Sequence, residues 1–428
     1  MLRRVLFVCC LLWSAVANSS LFTLHSSFLH AQQFSTYFED RTLRLDYTFS
    51  GDSASQDIYV DELSVMPRWY GKHERLAEVP LKGNGQVIVR DAQSDSIIYR
   101  HSFSTLFQEW LATDEAKHTR KSFENVFLVP FPQRPVNITV ELRDYHDSVI
   151  ATMTHTVDPQ DILIRHIGER DVTPYVTLHP KLPSLGEGRE DRLIHIAFVA
   201  EGYQGDELQI YLDDCRKAVK ALFEHEPFKS LQDRFSIIAL LSISQDSGIS
   251  VPREGIWKNT VLGSHFDTFY TERYLTTLHL KRLHDVLAGT PYEHIIILTN
   301  TTTYGGGGIY NSYNLAAAHG PMYEPVVVHE FGHSFGGLGD EYPYGDSDPM
   351  YFADTEPWEP NLTTQHNFHG KWENLIREGK AGLVEGGGYL SHGVWRGQED
   401  CRMRTNEYPE FCPVCQQALT RLIKFYTE

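Results

Sequence analysis

One stretch of the chain, residues 326–342, carries the residue types of a metal-dependent hydrolase. His329 and His333 are four residues apart, so on a helix both imidazoles would leave the same face one turn apart. Two imidazoles arranged in this way can share one tetrahedral metal ion. Glu330 lies one step round the helix and could take a proton from a water on that ion, because zinc lowers the pKa of such water towards neutrality. The spacing therefore predicts attack of water on a carbonyl, the chemistry of a metallopeptidase.

The residues on either side of the two histidines favour a buried helix that ends in a turn. Residues 326–328 are all valine and would anchor the helix in a core. Gly336 and Gly337 disfavour continuation of the helix and supply the left-handed conformation that reverses the chain. A third metal ligand just beyond that turn would return to the ion, and both Asp340 and Glu341 are candidates. The competing interpretation is a solvated helix face with incidental histidines.

The string HEFGHSFGGLGDEY, which begins at His329, resembles the metzincin zinc peptidases and, taken whole, the IgA-peptidase family of secreted zinc endopeptidases. The metzincin pattern is HExxHxxG, then two variable residues, then a His or Asp ligand. Gly336 fits that pattern, but the acidic residue, Asp340, lies one residue later than the pattern requires. The resemblance implies that Zn²⁺ is held by His329, His333 and Asp340. Glu341 is the main competitor for the third position, and the implied substrate is a protein or peptide.

Four consecutive glycines, residues 305–308, precede the predicted metal helix. The absence of a following Gly-Lys-Ser/Thr argues against a nucleotide-binding loop. In metzincin-like enzymes the strand before the zinc helix forms the edge of the cleft and pairs with the substrate. Glycines there would let a peptide approach closely. A flexible surface loop is the alternative that the residues leave open.

Two supporting roles in the site have candidates. Met403 lies in a segment, Cys401–Arg404, that resembles the Met-turn of metzincins, and the resemblance implies that it packs beneath the zinc. Stabilisation of the oxyanion could involve a tyrosine in addition to the metal. Tyr304, Tyr310 and Tyr342 are nearest in sequence, and their spacing does not choose among them.

The first 17 residues have the features of a secretory signal peptide. Arg3 and Arg4 precede an apolar run, residues 5–13, and Ala15 and Ala17 fit cleavage after Ala17. The run is too short to remain as a membrane anchor, and the residues before the first cysteine are too bulky for a typical lipid-attachment motif. We therefore expect a secreted or extracytoplasmic protein without stable membrane insertion.

The chain is acidic. Its formal net charge is −18 at pH 7, and loss of Arg3 and Arg4 with the leader would make it −20. Such a balance disfavours nucleic acid and anionic membrane surfaces as partners. The sequence leaves the oligomeric state unknown.

Four cysteines remain after the predicted cleavage: Cys215, Cys401, Cys412 and Cys415. The last two form a CxxC motif. In an exported chain we expect a disulfide between Cys401 and one member of that pair. A second, structural zinc is the alternative, but the sequence offers no obvious full ligand set for it.

The predicted fold class is α+β multidomain, with an N-terminal β-sandwich followed by an α/β metzincin-like zinc peptidase domain. Short alternating strands between residues 34 and 157, interrupted by a helix at 106–117, favour a sandwich in an accessory domain, 18–157. A Pro- and Gly-rich connector, 158–192, follows. Strands and helices alternate in the peptidase domain, 193–428. We expect its strands at 193–199, 237–243 and 295–298, and its helices near 208–222, 274–287 and 416–425.

The leading hypothesis is a secreted zinc-dependent endopeptidase that hydrolyses peptide bonds with Glu330 as the general base. The alternative is a secreted glycan- or protein-binding module with a structural metal and no turnover. Glu330 argues against this alternative, because a purely structural site has no use for that acid and fills its fourth coordination position.

Overall fold

A computed structural model describes residues 34–179, 192–344 and 350–428. The predicted signal peptide and part of the predicted connector lie outside these ranges. The architecture is mixed α+β, as predicted, with two four-stranded sheets in the first half and a six-stranded sheet in the second. A two-stranded ribbon follows the six-stranded sheet. Among the described residues, no helix combines the length and apolar character needed to cross a membrane.

The first half contains two four-stranded sheets, with strand orders β5-β1-β2-β8 and β4-β3-β6-β7. Neighbouring strands are antiparallel, except that β8 runs parallel to β2. The strands are β1 (Phe38–Gly51), β2 (Gln56–Met66), β3 (Gly85–Asp91), β4 (Ile97–Phe103), β5 (Lys121–Pro132), β6 (Val136–Arg143), β7 (Val149–Val157) and β8 (Arg165–His166). The strands predicted from alternating residues are all present, and β2 was missed.

Period-two alternation builds the core between these sheets. In β6 every second side chain is buried, so that one face of the strand is apolar. Aromatic rings from both sheets meet in the core, with the Phe103 and Phe127 ring centroids 4.2 Å apart and Phe49 within 6.3 Å of Phe103. These contacts join β4 of one sheet to β1 and β5 of the other.

The second half is built on a six-stranded sheet with the order β13-β14-β12-β10-β11-β9. The four inner strands are parallel and the two edge strands are antiparallel. All eight residues of β10 are buried, as expected for a parallel strand covered on both faces. The strands are β9 (Tyr175–His179), β10 (Ile194–Glu201), β11 (Phe235–Leu240), β12 (His294–Thr299), β13 (Gly306–Ile309) and β14 (Tyr313–Ala317), with the ribbon strands β15 (Val384–Gly387) and β16 (Leu390–Arg396).

The α-helices are α1 (Phe34–Tyr37), α2 (Leu106–Leu111), α3 (Leu208–Glu224), α4 (Leu280–Leu287), α5 (Tyr323–Ser334), α6 (Glu373–Arg377) and α7 (Pro413–Thr427). The helix predicted over 274–287 was wrong at its start, since α4 begins only at Leu280. Thr276 instead pairs with His265, and Thr277 donates a side-chain hydrogen bond to Leu262 O at 2.7 Å. The strand predicted over 237–243 likewise ends early, at Leu240.

The two halves share one continuous hydrophobic core and a buried ion pair. Arg44 of β1 is 1% exposed and makes two hydrogen bonds to Asp46, at 2.6 and 2.8 Å. Its remaining terminal nitrogen donates to Asp285 Oδ1 of α4 at 2.6 Å. The guanidinium therefore links the first half to the peptidase half through a partner, Asp285, whose side chain is 54% exposed, whereas its pair with Asp46 is buried.

We expect Arg44→Met to reduce the free energy of unfolding by about 3 kcal/mol, because it leaves the buried Asp46 carboxylate without its partner. Urea denaturation followed by tryptophan fluorescence measures this change. Arg216→Met is the matched control, since Arg216 and Asp213 form an exposed pair, and it should cost less than about 1 kcal/mol. Equal effects of the two substitutions would contradict a structural role for the buried pair.

Candidate metal centre

Helix α5 carries the two histidines and is buried on most of its surface. Residues 326–328 are all buried, as are Phe331 and Ser334. β-Branched residues are modest helix formers, so this helix depends on its burial rather than on intrinsic propensity. The sequence prediction of an anchored helix at this position is confirmed.

The chain reverses directly after α5. Gly337 has φ of +59°, the left-handed conformation predicted for it, and its N–H donates to His333 O at 2.9 Å. The Leu338 N–H donates to Gly332 O at 3.1 Å. A Cβ on Gly337 would lie 2.7 Å from Leu81 Cδ1, so no larger residue fits there. The reversal brings Asp340 back towards the helix.

Three side-chain atoms converge on one point. Asp340 Oδ1 lies 3.0 Å from His329 Nε2 and 3.2 Å from His333 Nε2, and the two Nε2 atoms are 3.0 Å apart. Ligands at about 2.0–2.1 Å from a tetrahedral zinc ion would be about 3.3 Å from one another. The three donors therefore fit a zinc ion with small outward adjustments. Their assignment as ligands stays a prediction.

The outer hydrogen bonds fix which nitrogen of each imidazole faces the centre. His329 Nδ1 donates to Arg402 O at 2.9 Å, and His333 Nδ1 donates to Leu338 O at 2.6 Å. A carbonyl oxygen can only accept, so each Nδ1 must carry a proton. The Nε2 lone pairs are therefore available to a cation, which is the usual arrangement of histidine ligands.

Charge favours a cation at this point. Burial alone would raise the pKa of Asp340, but the two imidazoles hold it well below its usual range. Burial would lower the pKa of His333, yet the neighbouring Asp340 carboxylate raises it to about 9. The carboxylate and the imidazole therefore each favour the charged form of the other.

Tyr389, which the sequence did not single out, orients the third candidate ligand. Its hydroxyl donates to Asp340 Oδ2, which leaves Oδ1 directed at the imidazoles. Tyr389 and Gly388 both have positive φ, 67° and 57°, in the tight turn between β15 and β16. Such a conformation is uncommon for an aromatic residue. The Gly388 N–H donates to Asp340 O at 2.8 Å, and the Tyr344 N–H to Tyr389 O at 3.0 Å, so the turn is bound to the ligand segment.

The glycine run forms the edge strand β13, not an irregular loop. Its glycines permit close packing against the metal helix rather than only against a substrate. A Cβ on Gly306 would lie 2.9 Å from Glu330 Oε1, and one on Gly308 would overlap Glu330 O and lie 2.9 Å from His333 Cβ. Burial raises the pKa of Glu330, whose carboxylate lies beside this strand.

Both halves of the chain line the cleft of about 880 Å³ above the metal centre. Tyr304, Tyr310 and Tyr342 all line it, and the Tyr310 hydroxyl is 3.3 Å from Ser102 Oγ in the contact between the halves. Glu109 of α2 also lines the cleft and accepts a hydrogen bond from the Tyr274 hydroxyl. Burial raises the pKa of Glu109 to about 7. Sequence analysis did not single out Glu109, because only the packing of the two halves brings this residue to the site.

Met403 packs against helix α5, and the position beneath a zinc ion that the resemblance implies stays a prediction. It is fully buried, and a Cβ on Gly332 of α5 would lie 2.7 Å from Met403 Sδ. The Glu341 N–H donates to Met403 O at 2.8 Å. The Glu341 carboxylate points away from the imidazoles, towards Cys415 Sγ at 3.2 Å. The two competing acids therefore lie in separate environments.

The predicted disulfide is absent from the described part of the chain. All four described cysteines are free thiols, and the Sγ atoms of Cys401 and Cys415 are 3.7 Å apart. A disulfide requires a separation of about 2.05 Å. The physical reason is that Cys401, Cys412 and Cys415 surround a common point instead of facing one another in a pair.

Comparison with protein families assigns this site to a class. A family model described as IgA Peptidase M64 matches residues 185–381, and one described as Peptidase M64 N-terminus matches residues 33–154. The chain is therefore a peptidase, a hydrolase that acts on protein or peptide substrates. It belongs to the IgA peptidase M64 family. A search of curated proteins gave no match.

Gly308→Ala tests the close packing of β13 on the metal helix. We expect it to reduce the free energy of unfolding by about 1–3 kcal/mol and to weaken metal retention, because the new methyl group overlaps the helix backbone. Thermal unfolding and metal analysis measure these effects. Gly370→Ala is the control, since a Cβ there meets nothing within 4 Å. Indistinguishable variants would contradict the packing argument.

Tyr389→Phe tests the hydrogen bond to Asp340. We expect about a 10- to 100-fold loss of zinc affinity with an unchanged fold, because an outer partner of a ligand orients it and tunes its basicity. Competition with a zinc-binding dye measures the affinity. Tyr270→Phe, at a side chain that is 84% exposed, should leave zinc affinity unchanged. Wild-type affinity in Tyr389→Phe would show that Asp340 is positioned by the backbone alone.

Proposed function

We propose that this protein is a secreted zinc-dependent endopeptidase. His329, His333 and Asp340 hold the ion, and Glu330 is the general base. The observation that carries the proposal is the convergence of three donor atoms within 3.2 Å of one another at the base of an open cleft, next to the Glu330 carboxylate. Export rests on the predicted signal peptide, residues 1–17.

The chemistry follows from these groups. A zinc ion bound by these ligands would lower the pKa of a water molecule and polarise the carbonyl of the scissile peptide bond. Glu330 accepts a proton from that water and returns it to the leaving amine. Burial raises the pKa of Glu330, which brings the carboxylate closer to the range in which it can both accept and donate a proton near neutral pH.

Substrate binding uses the cleft edge in a metzincin-like arrangement. β13 is the antiparallel edge strand of the six-stranded sheet, and it lies in the cleft wall. An extended peptide would pair through its backbone with the part of this edge beyond Gly306, since Gly306 already bridges to Tyr274. The first half of the chain, which we interpret as a β-sandwich accessory domain, adds Glu109 and Tyr145 to the same wall. It therefore takes part in substrate selection.

Glu330→Gln is the decisive substitution. We expect wild-type metal content and an unchanged unfolding temperature, with hydrolysis of a denatured protein reduced by about 10²–10⁴-fold because the amide cannot accept the proton. Glu324→Gln is the matched control, because Glu324 lies on the same helix but is exposed. It should retain full activity.

Mass spectrometry of the digest distinguishes the endopeptidase from its alternatives. Internal fragments that disappear on chelation and return with zinc support the proposal. Release of single terminal residues would instead indicate an exopeptidase. Full metal occupancy without hydrolysis of any unfolded protein would favour the binding module with a structural metal.

A further inference from the structure

A second group of side chains that could hold a metal ion meets the peptidase centre at the peptide bond between Asp340 and Glu341. The thiol cluster consists of Glu341, Cys401, Cys412 and Cys415. Each contributes one ligand atom, and these atoms all lie within 4.8 Å of one another. All four side chains are buried, with exposures of 0–1%. The peptidase chemistry uses none of them.

Three separate segments supply the thiol cluster. Glu341 follows the chain reversal after α5, and Cys401 lies in the loop after β16. Cys412 is the N-cap of α7, and Cys415 lies in its first turn, so their CxxC spacing is that of a zinc-binding pair. The positive end of a helix dipole also favours thiolates there.

The sulfur separations fit metal binding better than a disulfide. Thiolates at about 2.3 Å from a tetrahedral zinc ion are about 3.8 Å apart. Cys401 Sγ and Cys415 Sγ are 3.7 Å apart, and Cys415 Sγ is 3.2 Å from Glu341 Oε1. The Cys412 N–H donates to Cys401 Sγ at 3.2 Å, which stabilises a thiolate at that position. A single disulfide would leave a third buried thiol with no role.

The Glu341 carboxylate supplies an independent sign of a missing cation. Its Oε1 accepts from Asn361 Nδ2 at 2.9 Å, but Oε2 is buried and has no hydrogen-bond partner among the residues that the structure describes. An unpaired buried carboxylate oxygen is costly. A divalent cation among the three sulfurs would compensate the negative charge of this carboxylate and of the thiolates together.

We propose that Glu341, Cys401, Cys412 and Cys415 bind a second zinc ion, which is structural. Four protein ligands close its coordination sphere, so no position remains for water or substrate, and binding releases the thiol protons to solvent. This site differs from the peptidase centre in its ligands and in its role. The three cysteines lie beyond residue 381, where the match to the peptidase model ends.

The second ion would stabilise the peptidase centre through residues of the two sites that are near neighbours in the chain. Glu341 is bonded to Asp340 through one peptide, and its N–H donates to Met403 O. Cys401 is two residues from Met403, which packs under α5. Loss of the second ion would therefore leave both Asp340, the third candidate ligand of the peptidase centre, and Met403 less firmly positioned.

Metal analysis of the full chain, purified after growth with added zinc and without chelators, tests the proposal. We expect about two zinc ions per chain in the wild type. His329→Ala/His333→Ala should keep about one, and Cys412→Ser/Cys415→Ser should lose about one. Cys215→Ser is the control, since this buried cysteine lies outside the thiol cluster, and it should keep both. Because the histidine variant has no peptidase centre, this result does not depend on the proposed function.

Cobalt substitution gives a readout that does not require the cysteine variants to fold. Co²⁺ added to the metal-free histidine variant should produce thiolate-to-cobalt charge-transfer absorption, which nitrogen and oxygen ligands do not give. Absence of this absorption would overturn the proposal. So would one zinc per wild-type chain together with a disulfide among Cys401, Cys412 and Cys415 in mass spectra of the unreduced protein. Glu341→Gln should speed the loss of the cobalt signal to a chelator by about tenfold or more.

Discussion

The short segment after the left-handed Gly337 constrains both metal-binding groups. It is held in place on two sides, because the Gly388 N–H donates to Asp340 O and the Glu341 N–H donates to Met403 O. Within this segment Asp340 Oδ1 lies 3.0 Å from His329 Nε2, and Glu341 Oε1 lies 3.2 Å from Cys415 Sγ. Two adjacent residues therefore direct their side chains to different groups. The geometry of each group depends on the other through a single peptide bond.

The sequence predicted the local geometry of the site better than its long-range contacts. Two histidines one turn apart and a glycine-induced reversal are local features, and both were found where expected. The choice between Asp340 and Glu341 is not local, because it depends on Tyr389 and on Cys415, which come from distant parts of the chain. Spacing alone does not show which of two adjacent acidic residues is the candidate metal ligand.

The incorrect expectations also failed because of contacts between parts of the chain that are distant in sequence. The CxxC motif in a chain with a leader favours a disulfide by composition, but the third thiol and the buried carboxylate are brought together only by the fold. The helix predicted over 274–287 fails at its start because two threonines hydrogen-bond to a neighbouring loop, a contact that periodicity does not reveal. The glycines of β13 were expected to let a peptide approach closely, which stays a prediction, and in the structure Gly306 and Gly308 pack closely against Glu330 and His333 of α5.

The first half of the chain is part of the peptidase site rather than an independent attachment. Its core is continuous with that of the six-stranded sheet, and Arg44 is buried between carboxylates from both halves. Ser104 N–H donates to Tyr310 O at 3.0 Å, directly after β13, so the contact between the halves also supports the cleft edge. Since Glu109 reaches the cleft from α2, separating the halves would expose apolar surface and remove one wall of the site. The N-terminal half must therefore fold onto the peptidase half for the cleft to exist in this form.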